Sequence, residues 1–368
     1  MIDPSLNIVC LSSWYPNRKD LFLGNFVRAH VEAIATLHTV YMVVFEKSES
    51  ESVKRVNSII NGVNEIRLYI PESKSKFSRA IIQYRFLKRL KKELPQIDIV
   101  HGHVILRQGL FFIIAKNLFR SPLVVTEHAN VFLKKKINFL ETYFTRFVFK
   151  STNSVTTVST YLSDSIYKYF GVKSTVIPNV VDIAFYNQNL LTPEKFTFCH
   201  VSTLSEVKNV QGILDAFKEL CTENNSVYLK IVSDQNTSDL REMVRIMQIE
   251  EHVIIYEGLN YKDTAKEMAN SSAFVLNSFS ETFSVVLAEA LVLGMPIIST
   301  RVGLILDFVS LPNNVFLVEN NDPISLCCEM RNVMQNFKEP TLNETIRNSF
   351  SQQTVANSFN EIYRKALA

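Results

Sequence analysis

The sequence predicts an α/β protein made of two doubly wound, parallel-sheet domains. Three observations lead there. The chain has 368 residues, more than one hydrophobic core usually serves. Short apolar runs alternate with helix-period segments from one end to the other, and that alternation lapses once, near residue 185. With 47% hydrophobic and 20% charged residues, the chain has the balance of a globular protein and needs no staple to fold.

The first half offers strand candidates at 7–11, 39–45, 97–101, 123–126, 154–158 and 174–177. The second half offers 197–201, 228–232, 253–256, 273–276, 296–299 and 315–317. Helical patterns between successive strands indicate parallel sheets covered by helices, twice over. The expected boundary is Pro178-Asn179-Val180-Val181-Asp182 with the polar stretch 187–195, where no apolar period persists. The domains are therefore expected at 1–185 and 186–350. A last helix over 351–368 carries an apolar stripe at Val355, Phe359, Ile362 and Tyr363.

Charge separates the halves. Residues 1–185 hold 25 Lys and Arg against 14 Asp and Glu, a net of +11, which leaves 14 against 22, a net of −8, for the remainder. Two segments concentrate the positive charge. Residues 74–92 contain eight basic residues and no acid, with Phe77, Ile81, Tyr84, Leu87, Leu90 and Leu94 at helical spacing. Residues 132–150 join Lys134-Lys135-Lys136 to Phe132, Leu133, Phe139, Tyr143, Phe144, Phe147 and Phe149, and also read as one helix. Each suits a solvated surface helix or an anionic membrane surface. Nucleic acid is not an expected partner, since no zinc-finger, RNA-recognition or helix-turn-helix signature accompanies the charge.

Five cysteines, an odd number without CxxC spacing, point to a reduced cytoplasmic setting. The first residues lack a basic region followed by an apolar core, and no run approaches the roughly 18 apolar residues of a membrane span. Neither GxGxxG nor GxxxxGK[ST] occurs, which removes most support for nicotinamide-dinucleotide and P-loop readings.

Chemistry concentrates in residues 278–300. The pattern reads strand, turn, helix, strand: the helix is expected to start near Phe283, Gly294 stops it, and Pro296 follows where no helix continues. Glu281 then lies in a turn at a sheet's carboxyl edge, where open α/β sheets bind ligands and where free N–H groups of a helix start attract phosphate. Glu289 follows eight residues later, so two carboxylates can grip different parts of one elongated ligand. A carboxylate suits vicinal hydroxyls of a sugar or ribose. On spacing alone Glu289 is equally readable as an ordinary helix residue.

These residues resemble the retaining glycosyltransferases of family 4 (glycosyl transferases group 1). Glu281, Glu289-Ala290 and Gly294-Met295-Pro296 match that family's Glu, seven residues, Glu-Ala pattern and its Gly-x-Pro strand entry. Further matches follow in the family's order. They are Ser12-Ser13-Trp14-Tyr15-Pro16 with Phe22-Leu23-Gly24-Asn25-Phe26, Asp98-Ile99-Val100-His101-Gly102-His103, Thr126-Glu127-His128, Val158-Ser159, Pro178 to Asp182, Leu204 with Lys208-Asn209, and Gly258.

The resemblance implies a GT-B fold of two Rossmann-like domains facing across a cleft, the first binding the acceptor, the second the donor, with the last helix returning to the first. It also implies that Lys208 neutralises the diphosphate leaving group, Glu281 holds donor-sugar hydroxyls, Glu289 binds the ribose, and His128 hydrogen-bonds the sugar near the reacting carbon. Gly24, Thr203, Gly258, Thr282, Phe283, Ser284 and Val285 would line the donor. A UDP- or GDP-linked sugar is the implied co-substrate, with neither metal nor other cofactor. These roles suit a reaction that builds negative charge on the diphosphate and positive charge on the sugar.

Several positions depart from the family pattern. Thr203 replaces the usual Arg and Ser202 a usual Gly, the Glu-Gly-Phe-Gly turn is Glu281-Thr282-Phe283-Ser284, and a later Gly pair is Gly303-Leu304. Arg18 and Arg301 are candidate replacements for the missing guanidinium. His101, His103 and His128 are read as hydrogen-bonding groups and not as a metal set, on the expectation that His101 and His103 turn to opposite faces of their strand and that no carboxylate completes the set. The expected activity is sugar transfer, with retention, to a saccharide or lipid-linked saccharide in cell-surface polysaccharide synthesis, in the cytoplasm or on the inner membrane face. The alternatives are a catalytically weakened subunit of the same architecture, or a phosphorylase or epimerase.

Overall fold

The structure is a computed structural model that describes residues 4–106, 108–133, 137–191, 193–308, 312–319, 321–337 and 342–368. In chain order the elements begin with β1 (Asn7–Ser12), α1 (Asn25–Ala35), β2 (Thr39–Ser48), β3 (Lys54–Ile60), β4 (Val63–Pro71), α2 (Lys76–Glu93) and β5 (Ile99–His103). There follow α3 (Gly109–Phe119), β6 (Leu123–Glu127), α4 (Phe139–Ser151), β7 (Ser154–Thr157), α5 (Thr160–Phe170), β8 (Thr175–Val176) and α6 (Ile183–Tyr186). The remainder is β9 (Thr197–Val201), α7 (Val210–Glu223), β10 (Tyr228–Ser233), α8 (Ser238–Ile246), β11 (Val253–Glu257), α9 (Tyr261–Ala269), β12 (Ala273–Leu276), α10 (Val285–Leu293), β13 (Ile297–Thr300), β14 (Val315–Val318), α11 (Pro323–Gln335), α12 (Glu344–Ser349) and α13 (Gln352–Leu367).

The chain divides into two compact units, Met1–Val180 with Gln352–Ala368, and Val181–Ser351. The first contains a sheet of order β3-β4-β2-β1-β5-β6-β7-β8, in which the pairings are parallel apart from the antiparallel β3–β4 pair. The second contains a parallel sheet of order β11-β10-β9-β12-β13-β14.

In the first unit β1 and β5 are buried on both faces, as parallel strands between helices must be. Helix α13 packs on α1 and buries Val355, Ala356, Phe359, Ile362 and Tyr363. The second unit has its own core, in which Phe198, Leu229, Ile231, Val275 and Ile298 of the sheet cluster with Phe217 of α7 and Leu326 and Met330 of α11.

Three features differ from the sequence expectations. β3 and β4 form a hairpin through Asn61-Gly62, both with positive φ and with Ile60 opposite Val63. An Asn-Gly pair is the strongest short hairpin signal, and the strand expectations passed over it. The segment 132–150 is not one helix: a 3₁₀ turn ends at Phe132, and α4 starts afresh at Phe139 behind a capping box of Asn138 and Glu141. Lys134, Lys135 and Lys136 lie outside the described residues. In α2 the expected apolar stripe splits, with Phe86, Leu87 and Leu90 buried and Phe77, Ile81 and Tyr84 exposed.

Candidate functional site

In the second unit the carboxyl edge of the sheet gathers two loops. One leaves β9, passes Thr203, and closes as a 3₁₀ turn over Glu206–Lys208. The left-handed Asn209 then caps α7, its side chain accepting from the Gly212 N–H. The other loop leaves β12 and runs through Asn277 to Ser284 before α10. The Phe279 N–H donates to the Val207 carbonyl at 2.8 Å, so the loops are tied backbone to backbone. Lys208 Nζ then reaches Glu281 Oε1 at 2.6 Å. The two residues to which the family resemblance gives the leaving group and the donor sugar are thus one ion pair.

Helix α10 begins at Val285, two residues later than expected. Ser284 stands at its N-cap with φ 67° and ψ 90°, makes no capping bond, and leaves a buried Oγ unpartnered. A serine with that backbone is strained, and such strain gathers at functional sites. Gly303 shows why the loop takes this path: a Cβ there would stand 2.4 Å from the Phe283 carbonyl oxygen, which instead accepts the Leu304 N–H at 2.8 Å. Thr282 is half-buried and Phe283 packs edge-on against Phe350. The first N–H groups of α10, Val285 included, have no intrahelical acceptor, which makes the start of this nine-residue helix receptive to an anion.

Glu289 lies on α10 about one turn past Val285 and is buried. Burial pushes its carboxyl up to about 8, and the negative charge of Asp182 adds to the rise. At neutral pH it is therefore mostly protonated. Asn277, 0% exposed, has both side-chain atoms unpartnered, and the neighbouring Ser278 Oγ is also unpartnered. Asn277 Nδ2 faces the start of α7, where a Cβ on Gly212 would stand 2.9 Å from it. Sequence reasoning missed Asn277; its signal was an amide placed directly after a wholly apolar strand. Thr203 is half-buried, Gly258 follows β11 with φ 70° and open space around its Cβ position, and Arg301 is exposed just beyond β13.

The first unit carries a separate group at its own carboxyl edge. His30, His101, His103 and His128 are all buried. His101 bonds the Tyr363 hydroxyl at 2.8 Å and Thr126 Oγ1 at 2.7 Å, and His103 Nδ1 lies 3.4 Å from His128 Nε2. His30 Nδ1, His103 Nε2 and His128 Nδ1 have no partner. The expectation that His101 and His103 turn apart is corrected: residues i and i+2 of a strand share a face, and their rings are 4.0 Å apart. His30, His103 and His128 present ring nitrogens within 4.8 Å of one another, as do Cys10 Sγ and the ring nitrogens of His101 and His103, so a metal-ligand geometry is also within reach. Burial keeps the four rings neutral, pushing His101 down to about 3, His30 to about 4, and His103 and His128 well below 6.5.

His128 is positioned from below. Glu127 accepts the N–H groups of His128 and Ala129 through Oε1 and that of Ile105 through Oε2, yet burial still raises its carboxyl to about 7. Phe26 lies against the His128 ring, with centroids 4.8 Å apart and the planes tilted by 33°. Phe26 lies in the first turn of α1, whose N-cap Gly24 has φ 67° and a Cβ position only 2.5 Å from the Trp14 carbonyl oxygen. Arg18 lies over the Tyr69 ring at 4.5 Å.

Two doubly wound units, polar at their carboxyl edges and without a glycine-rich phosphate loop, define a GT-B protein. The chain belongs to glycosyltransferase family 4: the model of Glycosyltransferase Family 4 matches residues 23–185 and that of Glycosyl transferases group 1 matches residues 183–351. It is 24% identical over 324 residues to an uncharacterized glycosyltransferase of Methanocaldococcus jannaschii, covering 87% of this chain and 86% of that one. It is 24% identical over 293 residues to the N-acetyl-alpha-D-glucosaminyl L-malate synthase of Bacillus anthracis, covering 74% and 75%. Among solved structures, Anabaena HepE in complex with UDP and glucose superimposes with a TM-score of 0.75 at 14% identity, over 98% of this chain and 99% of that one. The protein is a nucleotide-sugar-dependent glycosyltransferase of the retaining type. No described helix is long and apolar enough to cross a membrane.

Proposed function

We propose that the protein moves a hexose from a UDP- or GDP-linked donor to a saccharide or lipid-linked saccharide, in the assembly of a cell-surface polysaccharide on the inner face of the cytoplasmic membrane. The observation that carries the donor half is the Lys208–Glu281 pair beside the start of α10. The transition state separates charge, so it needs a cation and free amides at the diphosphate and a carboxylate at the sugar. Lys208 and the amides of Ser284 and Val285 serve the first need and Glu281 the second. Without donor, Lys208 is neutralised by Glu281; with donor, diphosphate and sugar hydroxyls take over the two partners, so the pair is a stand-in for the ligand.

Glu289 binds the ribose, and Thr203, Gly258, Thr282 and Phe283 complete the donor lining. The buried Ser284 hydroxyl, where the family has Gly, donates to the diphosphate and offsets part of the loss of the Arg at Thr203. In the first unit, His128 hydrogen-bonds the donor sugar, and its neutral ring lets it act without adding positive charge to the oxocarbenium-like centre. Gly24 lets the loop before α1 approach the phosphates. The basic first unit favours an acidic or membrane-bound acceptor.

The test is to incubate purified protein with UDP- and GDP-sugars and a lipid extract or oligosaccharide pool, and to follow transfer by mass spectrometry. One donor is expected to be consumed in step with a hexose mass gain on the acceptor, with the donor's anomeric configuration retained by NMR. Absence of transfer with every donor overturns the reading.

A further inference from the structure

The most conspicuous surface outside the donor and histidine groups is α4. Five apolar residues on one side of this helix are open to solvent: Phe139 at 88%, Leu140 at 61%, Tyr143 at 62%, Phe144 at 39% and Phe147 at 48%. Their spacing of one, four, five and eight places them on a single stripe. They are not a loosely packed core face, because α4 buries a different side. Thr145, Val148 and Phe149 point inward, and Phe149 meets Phe170 at 5.5 Å.

The neighbours of α4 supply the charge. Helix α3 packs between α2 and α4, so the three form one layer. Its other exposed apolar residues include Leu110 on α3 and Phe77, Ile81 and Tyr84 on α2. In α2, α3 and α4 there are ten Lys and Arg and only two acids, Glu93 and Glu141. Both acids are occupied, Glu93 by Arg55 and Arg89 and Glu141 in the capping box of α4. A layer with an aromatic ridge at one side and a basic row at the other, in which Arg89 pairs with Glu93, matches the interface of an anionic bilayer, where rings sit among headgroups and Lys and Arg meet phosphate. A second copy of the same face would bring ten positive charges against ten. At 13 residues α4 is about 20 Å long, which suits lying in the interface and not spanning about 30 Å of hydrocarbon.

We infer that the outward face of α4 inserts into an anionic lipid surface, with the basic row of α2 as its electrostatic partner. The topology adds a consequence. Helix α4 starts from the carboxyl edge of its sheet, the edge that bears His128, so docking through Phe139 and Leu140 holds that edge next to the bilayer. The inference deepens the reading of a membrane-bound acceptor, and its test does not depend on turnover.

The experiment uses full-length protein and vesicles of phosphatidylcholine alone or with phosphatidylglycerol. Wild type is expected to co-sediment with the anionic vesicles, and Phe144→Trp to show a blue-shifted emission that brominated lipid quenches. Phe139→Ser with Tyr143→Ser and Phe147→Ser is expected to weaken vesicle binding by about tenfold or more. The same variant should leave the thermal shift given by UDP or GDP unchanged, which separates failure of docking from failure of the donor reading. Equal binding by wild type and the triple variant overturns the insertion, as does loss of binding only on charge reversal in α2. Absence of binding to any vesicle, with the triple variant alone dissociating a dimer seen by light scattering, overturns it in favour of a protein partner.

Discussion

Lys208 Nζ and Glu281 Oε1 stand 2.6 Å apart in a loop pair whose backbones are themselves joined from Phe279 to Val207. Each charge is most of the way out of water, with side-chain exposures of 18% and 9%. Removing one therefore leaves the other poorly solvated, and a single variant carries a folding cost as well as a catalytic one. Lys208→Met and Glu281→Gln are each expected to lower kcat by about 10² or more. Their double variant should fall well short of the product of the two. Steady-state kinetics on the three variants check this, and full additivity would mean that the two act independently.

With the ribose at Glu289, as proposed, donor binding is expected to be a proton-linked event. Its carboxyl, raised to about 8 by burial and Asp182, is largely protonated at pH 7. Ribose hydroxyls donating to it favour the carboxylate, so binding should release up to about one proton at pH 7. Calorimetry in phosphate and in Tris, which differ in ionisation enthalpy, measures that release, and Glu289→Gln should abolish it. Stability has the corresponding sign. A carboxyl that holds its proton more tightly in the folded state loses stability as pH rises from 4.5 to about 8, so wild type should weaken across that window relative to Glu289→Gln.

The four neutral histidines work in the opposite direction. An unfolded histidine takes a proton near 6.5 while the folded ones resist it, so stability is expected to fall as pH drops below 6.5. Glu127 and Glu289 gain on acidification and offset part of that loss. Urea midpoints measured from pH 7 to 4.5 should decline, and less steeply in His30→Asn. A flat profile would mean that the cluster admits water and titrates normally.

Ser284 tests strain against function. With φ at 67°, replacement by Gly should stabilise the fold by about 1 kcal/mol. It also removes the unpartnered hydroxyl, so affinity for a nucleoside diphosphate should drop while thermal stability rises. Gly303→Ala should instead lower thermal stability and nucleotide affinity together, because its Cβ collides with the Phe283 carbonyl and displaces the loop. Thermal melts with and without nucleotide distinguish the two outcomes.

Much of the frame was legible because its signals are local and uniform. Gly294 and Pro296 mark the end of α10 and the entry to β13, and the last helix begins at Gln352 as its stripe requires. The β3–β4 hairpin was missed although Asn61-Gly62 announced it, because β3 is half-exposed and carries no continuous apolar run. Glu281 and Lys208 were legible as types at a spacing, but their union depends on a contact 73 residues apart in sequence. Asn277 and Ser278 were invisible for a related reason: their importance lies in having no partner, which only the packed surroundings define. The turn of His101 and His103 to one face follows from strand geometry and needed only the correct period.

The central claim is that the second unit holds a nucleotide-sugar donor with Lys208 at the diphosphate and Glu289 at the ribose. Titration calorimetry of UDP, GDP, uridine and guanosine against wild type, Lys208→Met and Glu289→Gln tests it most directly. One diphosphate should bind wild type and lose about tenfold to a hundredfold in Lys208→Met, while its nucleoside is unaffected there and weakened in Glu289→Gln. Equal affinities across the three proteins would contradict the assignment of both residues.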